Sequence, residues 1–298
     1  MSLKEVKNRI NSVKSTRQIT SAMKMVSSAK LHKAQNRIAS LWPYQHKLNE
    51  ILTNFLRTDA TFESPYTDVR PVSRVAIVAF SSNGSLCGSY NSNVCRKLEQ
   101  TLASYQSLGR SQILIYPIGR KVEEAVRKLG YQPQGSYQQM ADKPSYADAY
   151  RLATELMCKF ASHEVDRVVF IYHHFKSTGC QLLLSENYLP IDTEQIASAF
   201  ASSHPAADAE ERTYANDYIV EPSVSQLISA LLPKVLSQQL FTVLLDSNTS
   251  EHAARMLAMQ TATDNANELI QDLTKQYNKT RQQAITNELL DIIGGSMR

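Results

Sequence analysis

The residues best equipped for chemistry gather at one turn, Ser82-Asn83-Gly84-Ser85-Leu86-Cys87-Gly88, which follows an apolar run and precedes a helical stretch. Open α/β sheets bind phosphates at such a place. The turn has neither the Gly-x-x-x-x-Gly-Lys-Ser/Thr of a phosphate loop nor the Gly-x-Gly-x-x-Gly of a dinucleotide fold, so its glycines read as allowing a tight strand-to-helix turn. Cys87 has no base near it in sequence and defaults to a small buried hydrophobe. His173 and His174 are adjacent at a strand end and point to opposite faces, which keeps them from sharing a metal. Paired carboxylates and metal-ligand spacings are missing elsewhere, and Cys87, Cys95, Cys158 and Cys180 make no Cys-x-x-Cys pair. The chain is therefore expected to hold no catalytic residue, no metal and no cofactor, and a reducing cytoplasm fits it.

The elements around that turn are more informative. Every glycine lies between Gly84 and Gly179 except Gly294 and Gly295. The flanks lack the residue that most easily breaks a helix, and each holds one interior proline, Pro43 or Pro233. Rods of about 80 Å and about 105 Å are allowed at about 1.5 Å per residue. A lone helix of that length is only marginally stable in water, so the two rods imply each other. In the first, Leu3, Val6, Ile10 and Val13 follow a 3-4 seam. After a phase slip the seam resumes through Ile19, Met23 and Val26, and later Leu41, Leu48, Leu52 and Phe55. A bend is expected near Pro43 and an end before Pro65.

Between the rods, Arg74–Phe80, Gln112–Ile118 and Asp166–Tyr172 read as strands, with Gln181–Ser185 as a possible fourth. Helical stretches at Asn91–Leu108, Arg120–Leu129 and Tyr146–Ser162 alternate with them, which implies a mostly parallel sheet. The expected divisions are a helix over 1–60, an inserted α/β domain over 74–190, a connector over 191–221 and a helix over 222–298. On that last helix Val224, Leu227, Leu231, Val235, Leu240 and Val243 give one stripe, and Leu269, Leu273, Tyr277, Ala284 and Ile292 another. The wholly polar Asp246–Glu251 between them is either a break capped by Ser250 or a continuous helix with an exposed face. Beyond it Ala253, Ala254, Ala258, Ala262 and Ala266 would let a partner helix approach closely.

No uninterrupted apolar run nears the ~20 residues needed to span a bilayer. Residues 1–40 carry nine Lys/Arg against Glu5 alone, a cationic rod that is either a solvated face or a surface for an acidic protein sleeve or a nucleic acid. No aromatic precedes Trp42, which argues against base stacking. The first twenty residues mimic a mitochondrial presequence, but no secretory apolar core follows.

Over nearly its whole length the chain resembles the gamma subunit of F-type ATP synthase, a central rotor shaft. The residues that carry this are SEHAARMLAMQTATDNANELI and YNKTRQQAITNELLDIIGG near the end, TRQITSAMKMVSSAK in the first helix, Trp42-Pro43-Tyr44, LCGSYN around Cys87, and DYIVEP. It departs from the usual pattern at Asn83-Gly84-Ser85, where the family has Asp-Arg-Gly, and at Gly295-Ser296, where it has Gly-Ala. The cysteine pair of the thiol-switched plastid form is absent from 191–217.

The resemblance implies an antiparallel coiled coil of the N- and C-terminal helices with an inserted, mostly parallel, Rossmann-like α/β domain. It also implies alpha and beta subunits, an epsilon subunit and a c-ring as partners, with no nucleic acid. The chain would carry torque for proton-driven ATP synthesis and regulate ATPase activity and proton flow. It would sit peripherally on the cytoplasmic face of the bacterial inner membrane, with no transmembrane segment of its own. By motif position Met23 and Lys24 would meet beta subunits. Arg255, Gln282, Thr286 and Glu288 would be polar contact or helix-pair positions, and Tyr218 and Glu221 would belong to the foot on the c-ring and epsilon. The alternative for each is an ordinary coiled-coil or loop residue. Two rival readings are a coiled-coil scaffold with a nucleic-acid-binding basic arm, which predicts steep salt dependence, and a nucleotide-binding enzyme using Asn83–Gly88.

Overall fold

The computed structural model describes residues 2–58, 64–191, 220–221 and 223–296. Tyr218 and most of the connector lie outside them. Helix α1 (Leu3–Thr58) runs unbroken through Pro43, and the last helix, α6 (Val224–Ser296), runs unbroken through Pro233. Between them come β1 (Val75–Phe80), α2 (Tyr90–Ser104), β2 (Ile113–Ile118), α3 (Arg120–Lys128), α4 (Gln138–Asp142), α5 (Tyr146–Ala161), β3 (Arg167–Ser177) and β4 (Cys180–Leu189). The sheet order is β2-β1-β3-β4, with β1 parallel to both β2 and β3, and β4 antiparallel to β3. The fourth strand is longer than its sequence suggests, because a tight hairpin pairs it with nearly all of β3.

Strand residues alternate between two faces, and each face buries its own set. Val75, Ile77, Ala79, Ile113, Ile115, Val169 and Ile171 pack under α2 and α3 through Val94, Leu98, Val122 and Val126. Ala76, Val78, Phe80, Tyr116, Ile118, Val168 and Phe170 face α5 and α6, where Leu152, Leu156, Phe160, Ile228, Leu232, Leu236 and Leu240 close the core. Leu48 and Leu52 bring the end of α1 into that same core. Part of α6 is apolar enough to pass as a membrane span, with an 18-residue window of mean hydropathy 1.4. Its apolar residues there are instead the ones that fill this core.

The two rods lie antiparallel. Arg17 donates from Nη1 to Asn267 Oδ1 (3.4 Å), Thr263 Oγ1 donates to Thr20 Oγ1 (2.9 Å), and Thr242 Oγ1 donates to Gln45 Oε1 (3.1 Å), so position rises along one helix as it falls along the other. The expected phase slip is absent. A strict 3-4 alternation runs from Leu3 through Val6, Ile10, Val13, Arg17, Thr20, Lys24, Ser27, Leu31, Ala34, Ile38, Leu41, Gln45, Leu48 and Leu52, and every one of these is buried or half-buried. Ile19 and Val26, expected on the seam, are 60% and 57% exposed. The seam crosses a polar and small-residue section from Arg17 to Ser27, which hides it from an apolar count. On α6 the matching row is Met259, Thr263, Ala266, Ile270, Leu273, Tyr277, Thr280 and Ala284, while Leu269 and Ile292 of the expected stripe lie exposed. Ala253 and Ala266 are buried on the approach to α1, as a close helix pair requires.

Candidate functional site

At the carboxyl ends of β1 and β2, where open sheets of this kind hold ligands, this chain places its own last helix. Leu244, Ser247, Asn248 and Glu251 of α6 meet Phe80, Ser81, Tyr90, Ile118 and Ala141, and the cavity left among them is about 10 Å³. That is about the minimum for one water. Several groups of the turn are also bonded within it. Ser82 donates its backbone N–H to Asn91 Oδ1 (3.0 Å), and Asn91 Nδ2 donates to Ser82 Oγ (2.8 Å) and to Cys87 Sγ (3.1 Å). The first turn of α3, the other natural anion site, spends its N–H groups on Asn83 Oδ1 (2.9 Å, from Arg120), Ser82 O (3.2 Å, from Lys121) and Ser81 Oγ (3.0 Å, from Val122). Gly119 between them has φ 100°, and a Cβ there would lie 2.2 Å from Ser81 O. The glycine serves a close backbone approach. No group of side chains fit to hold a metal occurs among the described residues.

The polar run Asp246–Glu251 explains what fills the place. The helix continues through it, and the face is buried rather than exposed: Thr249 and Ser250 are fully covered, and Ser247 is 4% exposed. Asp246 accepts from the Phe175 N–H (2.8 Å) and pairs with His174 Nδ1 (2.6 Å). Ser247 shares a hydroxyl contact with Tyr90 (2.7 Å), whose OH also donates to the Ser247 carbonyl (2.9 Å). Asn248 Nδ2 donates to Ala141 O (2.9 Å), and Ser250 Oγ donates to His173 O (3.0 Å). The Tyr90 ring stacks on His173 at 4.4 Å. Sequence reasoning missed this joint because its partners are backbone carbonyls and distant side chains; six polar residues in a row between apolar stripes were the only signal.

Electrostatics follow from that burial. Desolvation raises the Tyr90 phenol, with Glu251 adding to it. His173 is pushed down to about 4 by desolvation alone, and His252 to about 4 by desolvation with help from Lys30 and Arg255. His174 goes the other way, raised first by its hydrogen bond to Asp246. Burial raises the Glu251 carboxyl while Arg255 pulls against it.

The residues singled out from sequence fall at separate levels of the shaft. Arg255 sits at the joint, where Nη2 binds Glu251 Oε1 (2.8 Å) and Nη1 donates to the Ser85 carbonyl. Met23 and Lys24 are half-buried on α1, and Lys24 lines a shallow groove with Met25, His32, Lys33 and Arg37. Gln282, Thr286 and Glu288 are exposed near the far end, about 40 to 50 Å from Arg255 at about 1.5 Å per residue. Thr286 Oγ1 donates to Gln282 O (2.9 Å) one turn back, while Glu288 projects from the other side of the helix. Glu221 is exposed just ahead of α6. The helix overruns its partner: fourteen residues on from the Arg17–Asn267 pair, α1 begins at Leu3, level with the region of Arg281. Past that level Ile285, Leu289, Leu290 and Ile292 are 48 to 68% exposed.

The family described as ATP synthase matches residues 2–297. Among curated proteins, the ATP synthase gamma chain of Bacteroides fragilis is 65% identical over 296 residues, covering 99% of each chain. That of Bacteroides thetaiotaomicron is 62% identical over 297 residues, covering 100% of this chain and 99% of its own. Among solved structures, a chain of the Euglena gracilis mitochondrial ATP synthase assembly of OSCP, F1 and c-ring has a TM-score of 0.62 at 20% identity, covering 99% of this chain and 93% of its own. A chain of the central stalk and c-ring of the Tetrahymena thermophila mitochondrial enzyme has a TM-score of 0.57 at 21% identity, covering 82% of this chain and 99% of its own. The two paired rods, the sheet set against them and these end-to-end matches converge: the chain belongs to the family of ATP synthase gamma chains.

Proposed function

We propose that this gamma chain works as the central-stalk rotor of its ATP synthase, carrying torque between a proton-driven c-ring and the catalytic alpha and beta subunits. It performs no chemistry itself. The observation that carries this reading is α6, one unbroken helix of 73 residues gripped by the α/β domain along its first half and left without α1 at its far end. An apolar tip of that kind fits a protein sleeve, and the cationic α1 groove around Lys24, Lys33 and Arg37 fits an acidic surface on it. A shaft made of two unlike helices presents a different face to each subunit around it. Turning it shifts which conformation each favours, which is what coupling requires.

In this reading the chain divides at 60, 74, 190 and 221 into helix, α/β domain, connector and helix. The domain end, with Tyr218 and Glu221, faces the c-ring and the epsilon subunit, on the cytoplasmic side of the bacterial inner membrane. Met23, Lys24, Gln282, Thr286 and Glu288 meet the beta subunits, and Arg255 holds the helix at the joint. The same contacts let the chain regulate ATPase activity and proton flow.

The test replaces Gln282→Ala and Glu288→Ala together. Both side chains are exposed, so no core cavity forms and the isolated chain keeps its helix content. ATP-driven rotation in the assembled complex is expected to weaken. Unchanged coupled activity would remove both residues from the contact set.

A further inference from the structure

We infer that the segment Asp246–Arg255 of α6 is a rotational key, locking the shaft against the α/β domain, and that this joint rather than the α1–α6 seam takes the load. The inference rests on the rotor role proposed above. The core beneath α6 is apolar; turning the helix would take its stripe out of that core, but contacts of this kind have no preferred angle and yield gradually. Hydrogen bonds have preferred angles and resist it. Those bonds sit together at the joint, the Tyr90–Ser247 and Ser250–His173 contacts buried and the rest partly open to solvent.

Their placement around the helix matters more than their number. At about 100° per residue, Asp246 and Ser250 project to one side, Ser247 to a second, and Asn248 and Arg255 to a third nearly opposite the first. They reach, in turn, β3 at His173, His174 and Phe175, α2 at Tyr90, α4 at Ala141, and the β1–α2 turn at Ser85. A helix held from more than half its circumference cannot turn either way without breaking bonds to a different element. Among the described residues, the side-chain bonds recorded along the α1 seam, at Thr20, Arg17 and Gln45, lie close to one line and leave α6 freer to roll.

The key is also sensitive to protons. His174 meets Asp246 from α6 and Glu186 from β4 and is half-exposed to solvent. With the imidazole protonated, the bond to Asp246 is charge-assisted and shorter-lived excursions are suppressed. Above the raised pKa that assistance is lost.

The experiment uses the assembled complex in sealed vesicles, with ATP hydrolysis and ATP-driven proton uptake measured on one sample. Wild-type uptake tests the rotor role by itself, and its absence would sink that role. Given uptake, Tyr90→Phe, which keeps the ring stack and leaves no cavity, and Asp246→Asn are expected to lower protons moved per ATP at least twofold against a steep gradient, with hydrolysis unchanged. Thr20→Val on the seam should have no effect on that ratio. The wild-type ratio should fall as pH rises above 6.5 and through the raised His174 value, and His174→Gln should flatten that dependence, a readout that a merely structural role would not move. Key variants that pump like wild type, or a seam variant that loses as much as they do, would overturn the inference.

Discussion

His173 and His252 are neutral rings in a dry place, each with a buried Nδ1 that has no hydrogen-bond partner. Their pKa values sit at about 4, below the usual 6.5, so between those limits the unfolded chain binds protons that the folded chain refuses. Stability rises with pH wherever the unfolded state binds more protons. It is therefore expected to drop as pH falls from 6.5 towards 4, and thermal unfolding across that range would show it. His173→Phe keeps a ring against Tyr90 and removes one of the two protons. Its melting temperature should fall less steeply with acid than that of wild type. His174 has the opposite sign, since its raised pKa contributes stability below 6.5 that is lost as pH climbs through the folded value. One strand thus carries adjacent imidazoles with opposed responses, because one faces the core and the other faces Asp246.

At the scale of elements, the paired rods depend on a seam that alternates apolar and polar sections. Leu31 is 5% exposed and stands beside the small residues Ser27 and Ala34. Leu31→Ala should cost about 2–4 kcal/mol, read as a lower denaturation midpoint with unchanged slope. The rods and the strands were legible in the sequence, because glycine placement and apolar periodicity report them directly. The phase of the seam was not: Arg17, Thr20, Lys24 and Ser27 occupy inward positions where an apolar count finds nothing, and Ile19 and Val26 drew the reading one step aside. The row Asp246–Glu251 was equally opaque. A polar residue reads as solvated until its partner is known, and here the partners come from β3, α2 and α4. Met23, Gln282 and Glu288 were singled out by resemblance alone, since the type and spacing of a helical residue carry no mark of a partner chain.

For the molecule as a whole, the asymmetry in length between α1 and α6 leaves one end dressed by a partner helix and the other bare. Ile285, Leu289, Leu290 and Ile292 form an apolar surface of a kind that soluble monomers seldom display. Away from its complex the chain is expected to self-associate through that end. Leu289→Gln with Ile292→Gln should move it to the monomer position in sedimentation with its circular dichroism unchanged. Retained association in that variant would place the sticky surface elsewhere. Because the rods run in opposite directions, Leu3 and Ser296 lie toward the same end of the shaft, with Ser296 about fifteen residues farther out. In the rotor proposed above, a purification tag or a bulky fluorophore fused to either terminus would sit at the end that enters the catalytic subunits and would obstruct it. The natural handles for a probe of the proposed rotation are instead the surface thiols of Cys158 and Cys180 on the α/β domain, with Cys87 buried and Cys95 half-buried and so less open to a maleimide.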